Sequence, residues 1–162
     1  LETIYCPMIE TADQAAAFVA ACRYPPLGTR GAGGGTRAAC LGLGPDNASD
    51  IADRLMIIVA IETMEGVRNL AAIADIPGVD AIFIGARDLS ASMGRLGRFD
   101  DPELLAAVAH CEEVIRRSGK YLGAPVYPGQ SIGDMIAKGY SMLLTGTDSG
   151  FLIASAKASL AR

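Results

Sequence analysis

Two carboxylates stand just beyond two apolar segments of the chain. Glu62 follows the apolar run 55–61, and Asp88 lies shortly after the segment 79–85. Continuous apolar runs with β-branched residues are typical of parallel strands covered on both faces by helices. In such architectures the loops at the carboxyl ends of the strands carry the chemistry, and paired hard oxygen ligands there suit Mg²⁺ or Mn²⁺. Glu62 and Asp88 are therefore candidate ligands of a divalent metal.

The same residues also have an ordinary structural interpretation. Glu62 can cap the helix that follows it, and Asp88 can start a turn. Spacing alone does not separate these alternatives from a metal site, since short motifs without structural context are weak. Gly85 also has two possible roles. Glycine lets a ligand approach the backbone closely, and it also marks simple strand-to-loop turns.

Strand and helix signals alternate along the chain. Thr11 with Gln14 has the pattern of a capping box, and the segment 101–103 starts a helix with proline at its first position. Five strands that alternate with helices predict βα units in a parallel sheet, with Glu62 and Asp88 at one edge. The predicted strands are 3–8, 55–61, 79–85, 121–125 and 141–145, and the predicted helices are 11–21, 63–74, 101–119, 131–139 and 151–160.

The composition narrows the class of protein. The chain has 162 residues, is 51% hydrophobic and carries a net charge of -4 without a basic cluster. It lacks the electrostatic footprint of a nucleic-acid binder, and no apolar segment approaches the roughly 20 residues that span a bilayer. We therefore expect a cytoplasmic protein with neither a nucleic-acid nor a membrane partner. The four cysteines have no CxxC or zinc-like spacing, which predicts buried free thiols.

The number of βα units is smaller than a closed barrel requires. Closure takes eight units, and this chain supplies five. The chain also begins at Leu1 rather than at a methionine. We expect residues 1–162 to be a single, partial βα-barrel domain whose N-terminal portion is absent. The unpaired edge of its first strand would pair with another chain, so we expect a homo-oligomer.

Four segments resemble those of a known family. They are 7–11 (PMIET), 23–31 (RYPPLGTRG), 61–63 (IET) and 83–90 (FIGARDLS). Together and in this order they resemble the HpcH/HpaI family of 2-oxo acid aldolases, and the resemblance runs over nearly the whole chain. It implies an α/β fold of the (β/α)₈ TIM-barrel type found in the pyruvate and phosphoenolpyruvate superfamily, here with about five βα units.

The resemblance also implies a reaction and a site. A class II aldolase of this family would use Mg²⁺, Mn²⁺ or Co²⁺ to cleave a 4-hydroxy-2-oxo acid reversibly to pyruvate and an aldehyde. Carried over by position, Glu62 and Asp88 would be the metal ligands, and the backbone at Gly85, Ala86 and Arg87 would hold the pyruvate carboxylate. The divalent ion would stabilise the enolate charge as a Lewis acid, and successive N–H groups after Gly85 would form an anion-binding nest.

Three departures from the family pattern matter. Ala60 stands where members often carry glutamine two residues before the metal glutamate. Ala86-Arg87 replaces the usual Pro-Ala, which places a cation near the site. The family's histidine base and substrate-binding arginine lie on earlier strands that no part of this chain matches. The catalytic residues are therefore unknown in this chain and are expected upstream of Leu1.

Other candidate residues are weaker. Arg30 lies in the glycine-rich loop, which the resemblance places near the active site or a subunit contact, so we expect Arg30 to bind substrate. Solvation of an irregular segment is the alternative, and we prefer it for Arg37. His110 falls off the apolar stripe of its predicted helix and is expected in a solvated position. The three lysines are not predicted at strand carboxyl ends, which disfavours a Schiff-base mechanism.

Two further hypotheses stay open. A CoA-ester lyase of the citryl or malyl type resembles this family in its Pro-Met-x-Glu-Thr segment and its metal carboxylates, although the Tyr-Pro-Pro loop favours the aldolase. The chain could also be a catalytically inactive fragment that retains a metal site. Binding of CoA discriminates the lyase from the aldolase, and turnover of a 4-hydroxy-2-oxo acid in the presence of Mg²⁺ or Mn²⁺ separates the inactive fragment from the enzyme hypotheses.

Overall fold

A computed structural model describes residues 2–37, 40–43 and 54–161 of the chain. Five parallel strands form one sheet in the order β1-β2-β3-β4-β5. The strands are β1 Thr3–Cys6, β2 Met56–Ile61, β3 Ala81–Ile84, β4 Tyr121–Pro125 and β5 Met142–Leu144. The α-helices are α1 Ala12–Cys22, α2 Met64–Arg68, α3 Leu70–Ala74, α4 Ala86–Ser92, α5 Pro102–Ser118, α6 Ile132–Ala137 and α7 Asp148–Leu160. The predicted alternation of strands and helices is confirmed.

The two faces of the sheet differ in burial. The face under the helices carries β-branched residues with no exposed surface, among them Ile57, Ile61 and Ile82. On the opposite face, Tyr5 and Tyr121 stand in one row across the sheet and are 41% and 59% exposed. Since successive residues of a strand point to opposite faces, the helices cover one face and leave the other as the concave inside of a half-barrel.

Local capping explains where the helices begin. The Thr11 hydroxyl accepts a hydrogen bond from the Gln14 N–H at 3.2 Å, and the Gln14 side chain accepts one from the Thr11 N–H, which completes the predicted capping box of α1. Asp101 caps α5 by accepting from the N–H groups of Glu103 and Leu104. Gly119, with φ of 75°, ends that helix in the left-handed region.

Two segments differ from the prediction. The expected helix 63–74 is divided into α2 and α3 at Asn69, whose side-chain amide donates to the Glu10 carbonyl and to the Glu65 carboxylate instead of pointing to solvent. The expected loop around Asp88 begins as the helix α4. Ala86 and Leu89 are buried on one side of α4, so packing against the core favours the helix here.

The helix α5 supplies one wall of the core. Its buried stripe is Leu104, Val108, Cys111 and Ile115, whereas His110 is exposed, as expected. The three cysteines whose side chains are described are free, Cys22 and Cys111 being buried and Cys6 half-buried, and the prediction for the Cys40 side chain lies outside the described part. Among the described residues, no helix is both long and apolar enough to cross a bilayer.

Neighbouring leucines on α5 provide a matched test of this packing. Leu104 is 2% exposed and Leu105 is 52% exposed. We expect Leu104→Ala to lower the free energy of unfolding by about 2–5 kcal/mol, because it removes buried apolar contacts and leaves a cavity. Leu105→Ala should cost less than about 1 kcal/mol. Urea unfolding measures both, and equal losses would contradict the assigned orientation of the helix.

Candidate active site

Glu62 lies at the carboxyl end of β2 and is nearly buried. Its side chain is 7% exposed. The Met8 backbone N–H donates to Glu62 Oε2 at 2.8 Å, and the Tyr5 hydroxyl donates to Glu62 Oε1 at 3.3 Å. Met8 has φ of 57°, a left-handed conformation uncommon for a residue with a side chain. The strand β1 and the segment that follows it therefore hold this carboxylate, with one donor to each oxygen.

Gly85, at the end of β3, makes room for this carboxylate. A Cβ atom on Gly85 would lie 2.5 Å from Glu62 Cγ and 2.7 Å from Glu62 Oε1. The φ of Gly85 is -89°, which any residue can adopt, so the glycine is not needed for a turn. Close approach of Glu62, rather than a simple strand-to-loop turn, is thus what requires glycine here.

Asp88 occupies the first turn of α4 and is exposed. Burial, followed by the charge of Glu62 and more weakly that of Asp88, raises the pKa of the Tyr5 phenol well above its ordinary value. Both carboxylates therefore lie close enough to Tyr5 for their charges to act on the same hydroxyl group. The two acids that the sequence singles out belong to one region at the carboxyl edge of the sheet.

The capping role considered for Glu62 belongs to its neighbour. The Thr63 hydroxyl oxygen accepts from the Gly66 N–H at 3.1 Å and so caps α2, while the Thr63 hydroxyl group donates to Glu10 Oε1 at 2.8 Å. The interpretation of Glu62 as a helix cap is wrong. Asp88 does not start an isolated turn either, since it lies within α4.

The residues present fit a divalent cation. A carboxylate oxygen can accept more than one hydrogen bond, so each Glu62 oxygen, which has one donor among the described residues, keeps a lone pair for a metal. Across the described part of the chain, no lysine or arginine forms an ion pair with Glu62. A nearly buried carboxylate without a cation partner is costly unless an ion neutralises it.

The number of protein ligands is small. Within residues 2–37, 40–43 and 54–161, no group of three or more His, Cys, Asp or Glu side chains is placed to hold a metal ion. Two carboxylates with open positions suit Mg²⁺, which usually keeps several waters and takes further oxygens from the substrate. Glu62 and Asp88 are thus the two groups that could hold such an ion.

The backbone after β3 meets the expectation of an anion site only in part. The Gly85 N–H already donates to the Ile61 carbonyl at 3.0 Å, so it is engaged within the sheet edge. Ala86 and Arg87 are the first two residues of α4, where N–H groups have no partner within the helix. The N–H groups that remain for a carboxylate are therefore those of Ala86 and Arg87, without that of Gly85.

Arg30 is not brought to this cluster. Its N–H donates to the Arg23 carbonyl at 2.9 Å, and its guanidinium lies 4.6 Å from the centre of the Tyr24 ring. Arg23 in turn donates to the carbonyl of Leu55, the residue before β2. Arg30 therefore lies at the amino edge of the sheet, and the six residues of β2 separate it from Glu62 by about 20 Å. This geometry does not support a contact between Arg30 and a ligand at Glu62 within one chain.

The lysines also lie away from the carboxylates. Lys120 Nζ donates to the Val79 carbonyl at 2.8 Å, at the amino edge of the sheet. Lys138 Nζ donates to the Gln130 side chain, and Lys157 is on α7. These positions of the three lysines do not support a Schiff-base mechanism.

Tyr5 is the residue of this region that motif reasoning missed. Its signal was available in the alternation of β1, because a phenol stands between the core-facing residues Ile4 and Cys6. A polar aromatic residue on the open face of a strand, two positions before the loop that meets Glu62, is a candidate for the site.

Comparisons with known proteins agree with the geometry. A family model described as HpcH/HpaI aldolase/citrate lyase matches residues 1–155. A hydroxypyruvate/pyruvate aldolase from Chromohalobacter salexigens is 39% identical over 163 residues, covering 99% of this chain and 64% of that protein. A 4-hydroxy-2-oxo-heptane-1,7-dioate aldolase from Escherichia coli is 38% identical and covers 99% of this chain and 62% of that protein.

A solved structure extends the likeness to the fold. An HpcH/HpaI aldolase/citrate lyase family protein from Burkholderia cenocepacia J2315 superposes with a TM-score of 0.91 at 31% identity, covering 98% of this chain and 63% of the other. The chain thus spans a little under two thirds of the length of its relatives, about the share that five of eight βα units make up. The family model and these two kinds of relative together show that the chain belongs to the HpcH/HpaI aldolase/citrate lyase family.

Proposed function

We propose that this chain forms the metal and pyruvate side of a class II aldolase site. The reaction is the reversible cleavage of a 4-hydroxy-2-oxo acid to pyruvate and an aldehyde. The observation that carries this proposal is the nearly buried Glu62 carboxylate, which has a hydrogen-bond donor on each oxygen and no cation partner among the described residues. Relatives named as aldolases at 38–39% identity support the reaction class.

Each part of the site has a distinct task in this proposal. Glu62 and Asp88 would hold Mg²⁺, Mn²⁺ or Co²⁺, and the bound ion would supply Lewis-acid stabilisation of the charge that develops on the pyruvate oxygen. The N–H groups of Ala86 and Arg87 orient the substrate carboxylate, and the exposed Arg87 side chain adds positive charge nearby. Gly85 keeps the space beside Glu62 free of a side chain.

The proton transfers need a base that these residues do not include. In cleavage the C4 hydroxyl loses its proton, the C3–C4 bond breaks, and the enolate is protonated at C3. His110, the one histidine of the sequence, is exposed on α5 and takes no part in the cluster. The identity of the base and of the substrate-binding arginine stays open, and a cytoplasmic location stays a prediction.

The alternative CoA-ester lyase is supported less well. A citrate lyase from Burkholderia xenovorans LB400 superposes with a TM-score of 0.59 at 18% identity, and a citrate lyase beta subunit from M. tuberculosis does so with 0.55 at 17%. Likeness at that level concerns the fold alone. The aldolase relatives are about twice as similar in sequence, which favours the aldolase.

We also propose that residues 1–162 form one partial barrel domain that associates with further copies. The concave face leaves Tyr121 more than half exposed, and no residue of α7 is buried. Phe151 and Leu152 on α7 are 62% and 72% exposed. Apolar side chains uncovered on both a strand face and a helix favour association.

The metal site is tested by removing one charge at a time. We expect Glu62→Gln and Asp88→Asn each to weaken Mn²⁺ binding by more than about 100-fold, because each removes a ligand charge while keeping the shape of the side chain. Glu65→Gln, on the exposed side of α2, is the matched control and should bind like the unchanged chain. Isothermal titration with Mn²⁺ measures all three, and undiminished binding in both site variants would remove the metal assignment.

Gly85→Ala tests the same site without removing a charge. The new methyl group would displace Glu62, so Mn²⁺ affinity should fall by about 10-fold or more. Gly31→Ala is the control, since its Cβ meets open space and its φ is not in the left-handed region. Equal Mn²⁺ affinities for the two alanine variants would mean that the position of Glu62 does not govern the ion.

Pyruvate binding beside the ion tests the proposed function without requiring the missing base. The paramagnetic Mn²⁺ ion should broaden the methyl proton signal of pyruvate in the presence of the chain, and Asp88→Asn or EDTA should abolish the effect of the protein.

Any pyruvate release from a 4-hydroxy-2-oxo acid should be slow, stop with EDTA and return with Mn²⁺. Borohydride treatment with pyruvate should leave all lysines unmodified in mass spectrometry. A pyruvyl adduct on Lys120, Lys138 or Lys157 would overturn the metal-dependent mechanism.

Association is tested by the mass in solution. We expect light scattering to give a mass greater than that of one chain, because the open sheet face and α7 expose apolar side chains. Leu152→Ser should reduce that mass, whereas Ser155→Ala on the same helix should not. A monomer at all concentrations would exclude the proposed homo-oligomer.

A further inference from the structure

We propose that Tyr5 is a positioning residue of this site: its hydroxyl group holds Oε1 of Glu62 so that the carboxylate is oriented for a divalent cation. The inference rests on the metal site proposed at Glu62 and Asp88. Tyr5 is an uncharged residue of β1, and it lies outside the motifs that the sequence analysis identified.

Tyr5 and Met8 each donate a hydrogen bond to a different oxygen of the Glu62 carboxylate. Tyr5 donates to Glu62 Oε1 at 3.3 Å, and the Met8 N–H donates to Glu62 Oε2 at 2.8 Å. A carboxylate that rotates about its terminal bond would lose both hydrogen bonds. With one donor on each oxygen, the plane of the carboxylate is fixed, and the remaining lone pairs are available to an ion. Metal ligands are commonly oriented by such partners.

The Tyr5 side chain is itself held in place. Its ring meets the Phe83 ring edge to face, with centroids 5.6 Å apart and planes at 80°. Such pairs are favourable beyond the area they bury. The phenol is therefore fixed by an aromatic contact at its ring and by Glu62 at its hydroxyl.

The strand β2 lies between the strands that carry the two rings. Tyr5 is on β1 and Phe83 is on β3, and strands two apart in a sheet are about 10 Å apart. Side chains on the concave face of the curled sheet converge, and here the two ring centroids are 5.6 Å apart. Ala60 pairs with Phe83 in the sheet register, lies on the same face and is fully buried. The small residue at position 60 is thus compatible with a phenol that reaches the metal carboxylate from the neighbouring strand.

Tyr121 offers a matched control for Tyr5. It stands in the same row of the sheet, through the pairs Tyr5 with Ile58, Ile58 with Ala81 and Ala81 with Tyr121. It shares the open face, and no hydrogen bond from its hydroxyl group to Glu62 is found in the described part of the chain. Replacing either tyrosine with phenylalanine removes one hydroxyl group and keeps the ring.

The experiment measures Mn²⁺ affinity and tyrosine-sensitised Tb³⁺ emission for the unchanged chain, Tyr5→Phe, Tyr121→Phe and Glu62→Gln. The chain has no tryptophan, so tyrosine is the sensitiser. We expect Tyr5→Phe to lower Mn²⁺ affinity by about 10-fold and to remove most of the Tb³⁺ emission at saturation, with the thermal unfolding midpoint nearly unchanged. Tyr121→Phe should keep both signals.

The outcomes separate this inference from the function on which it rests. If Glu62→Gln loses Mn²⁺ binding while Tyr5→Phe binds like the unchanged chain, the positioning role of Tyr5 is wrong and the metal site stands. If Glu62→Gln retains full Mn²⁺ binding, the metal site itself is wrong and the inference fails with it. If Tyr5→Phe and Tyr121→Phe lose affinity equally, the effect belongs to the sheet face in general and the specific role of Tyr5 is overturned.

Discussion

The arrangement at the carboxyl edge depends on how one nearly buried carboxylate, that of Glu62, is held by hydrogen bonds. Glu62 lies among the ends of three strands, and burying a charge is costly unless it is hydrogen-bonded and neutralised. The local structure meets half of that need. Met8 adopts a left-handed conformation, and its N–H donates to one oxygen of Glu62, while the Tyr5 hydroxyl group donates to the other. Gly85 has no side chain that would collide with Glu62. In the proposed site, a bound divalent cation would supply the positive charge.

At the opposite, amino edge of the sheet, charged side chains bind other groups of the chain. Asp80 accepts from the Ile57 N–H at 2.7 Å, and its carboxylate lies 4.0 Å from the Arg23 guanidinium. Arg23 and Lys120 also donate to backbone carbonyls that precede strands. Here each charged group that we describe has a partner within the chain. In barrels of βα units the amino edge typically serves stability and the carboxyl edge serves chemistry, and the contrast between Asp80 and Glu62 follows that division.

The sequence was sufficient for the order of the elements and for placing Glu62 and Asp88 at the carboxyl edge of the sheet, while their role as metal ligands stays a prediction. Strong periodicity and local capping determine the helices, as the capping box at Thr11 and the proline start of α5 illustrate. It was insufficient where side chains from distant segments decide the outcome. Asn69 divides a helix because it binds the Glu10 carbonyl, 59 positions away. The resemblance places the loop of Arg30 near the active site or a subunit contact, but a motif does not state which edge of the sheet its loop joins.

Tyr5 shows the same limit at the site itself. Alternation places its side chain on the open face of β1, yet the partner that gives it a task, Glu62, is 57 positions away. No local pattern encodes that distance. The register between β1 and β2 does, since it pairs Tyr5 with Ile58 and so brings the phenol beside the residues that lead to Glu62. The parallel pairing of β1 with β2 therefore positions Tyr5 as well as forming the core. A slip of one residue would turn Tyr5 toward the helices and would remove its hydrogen bond to Glu62.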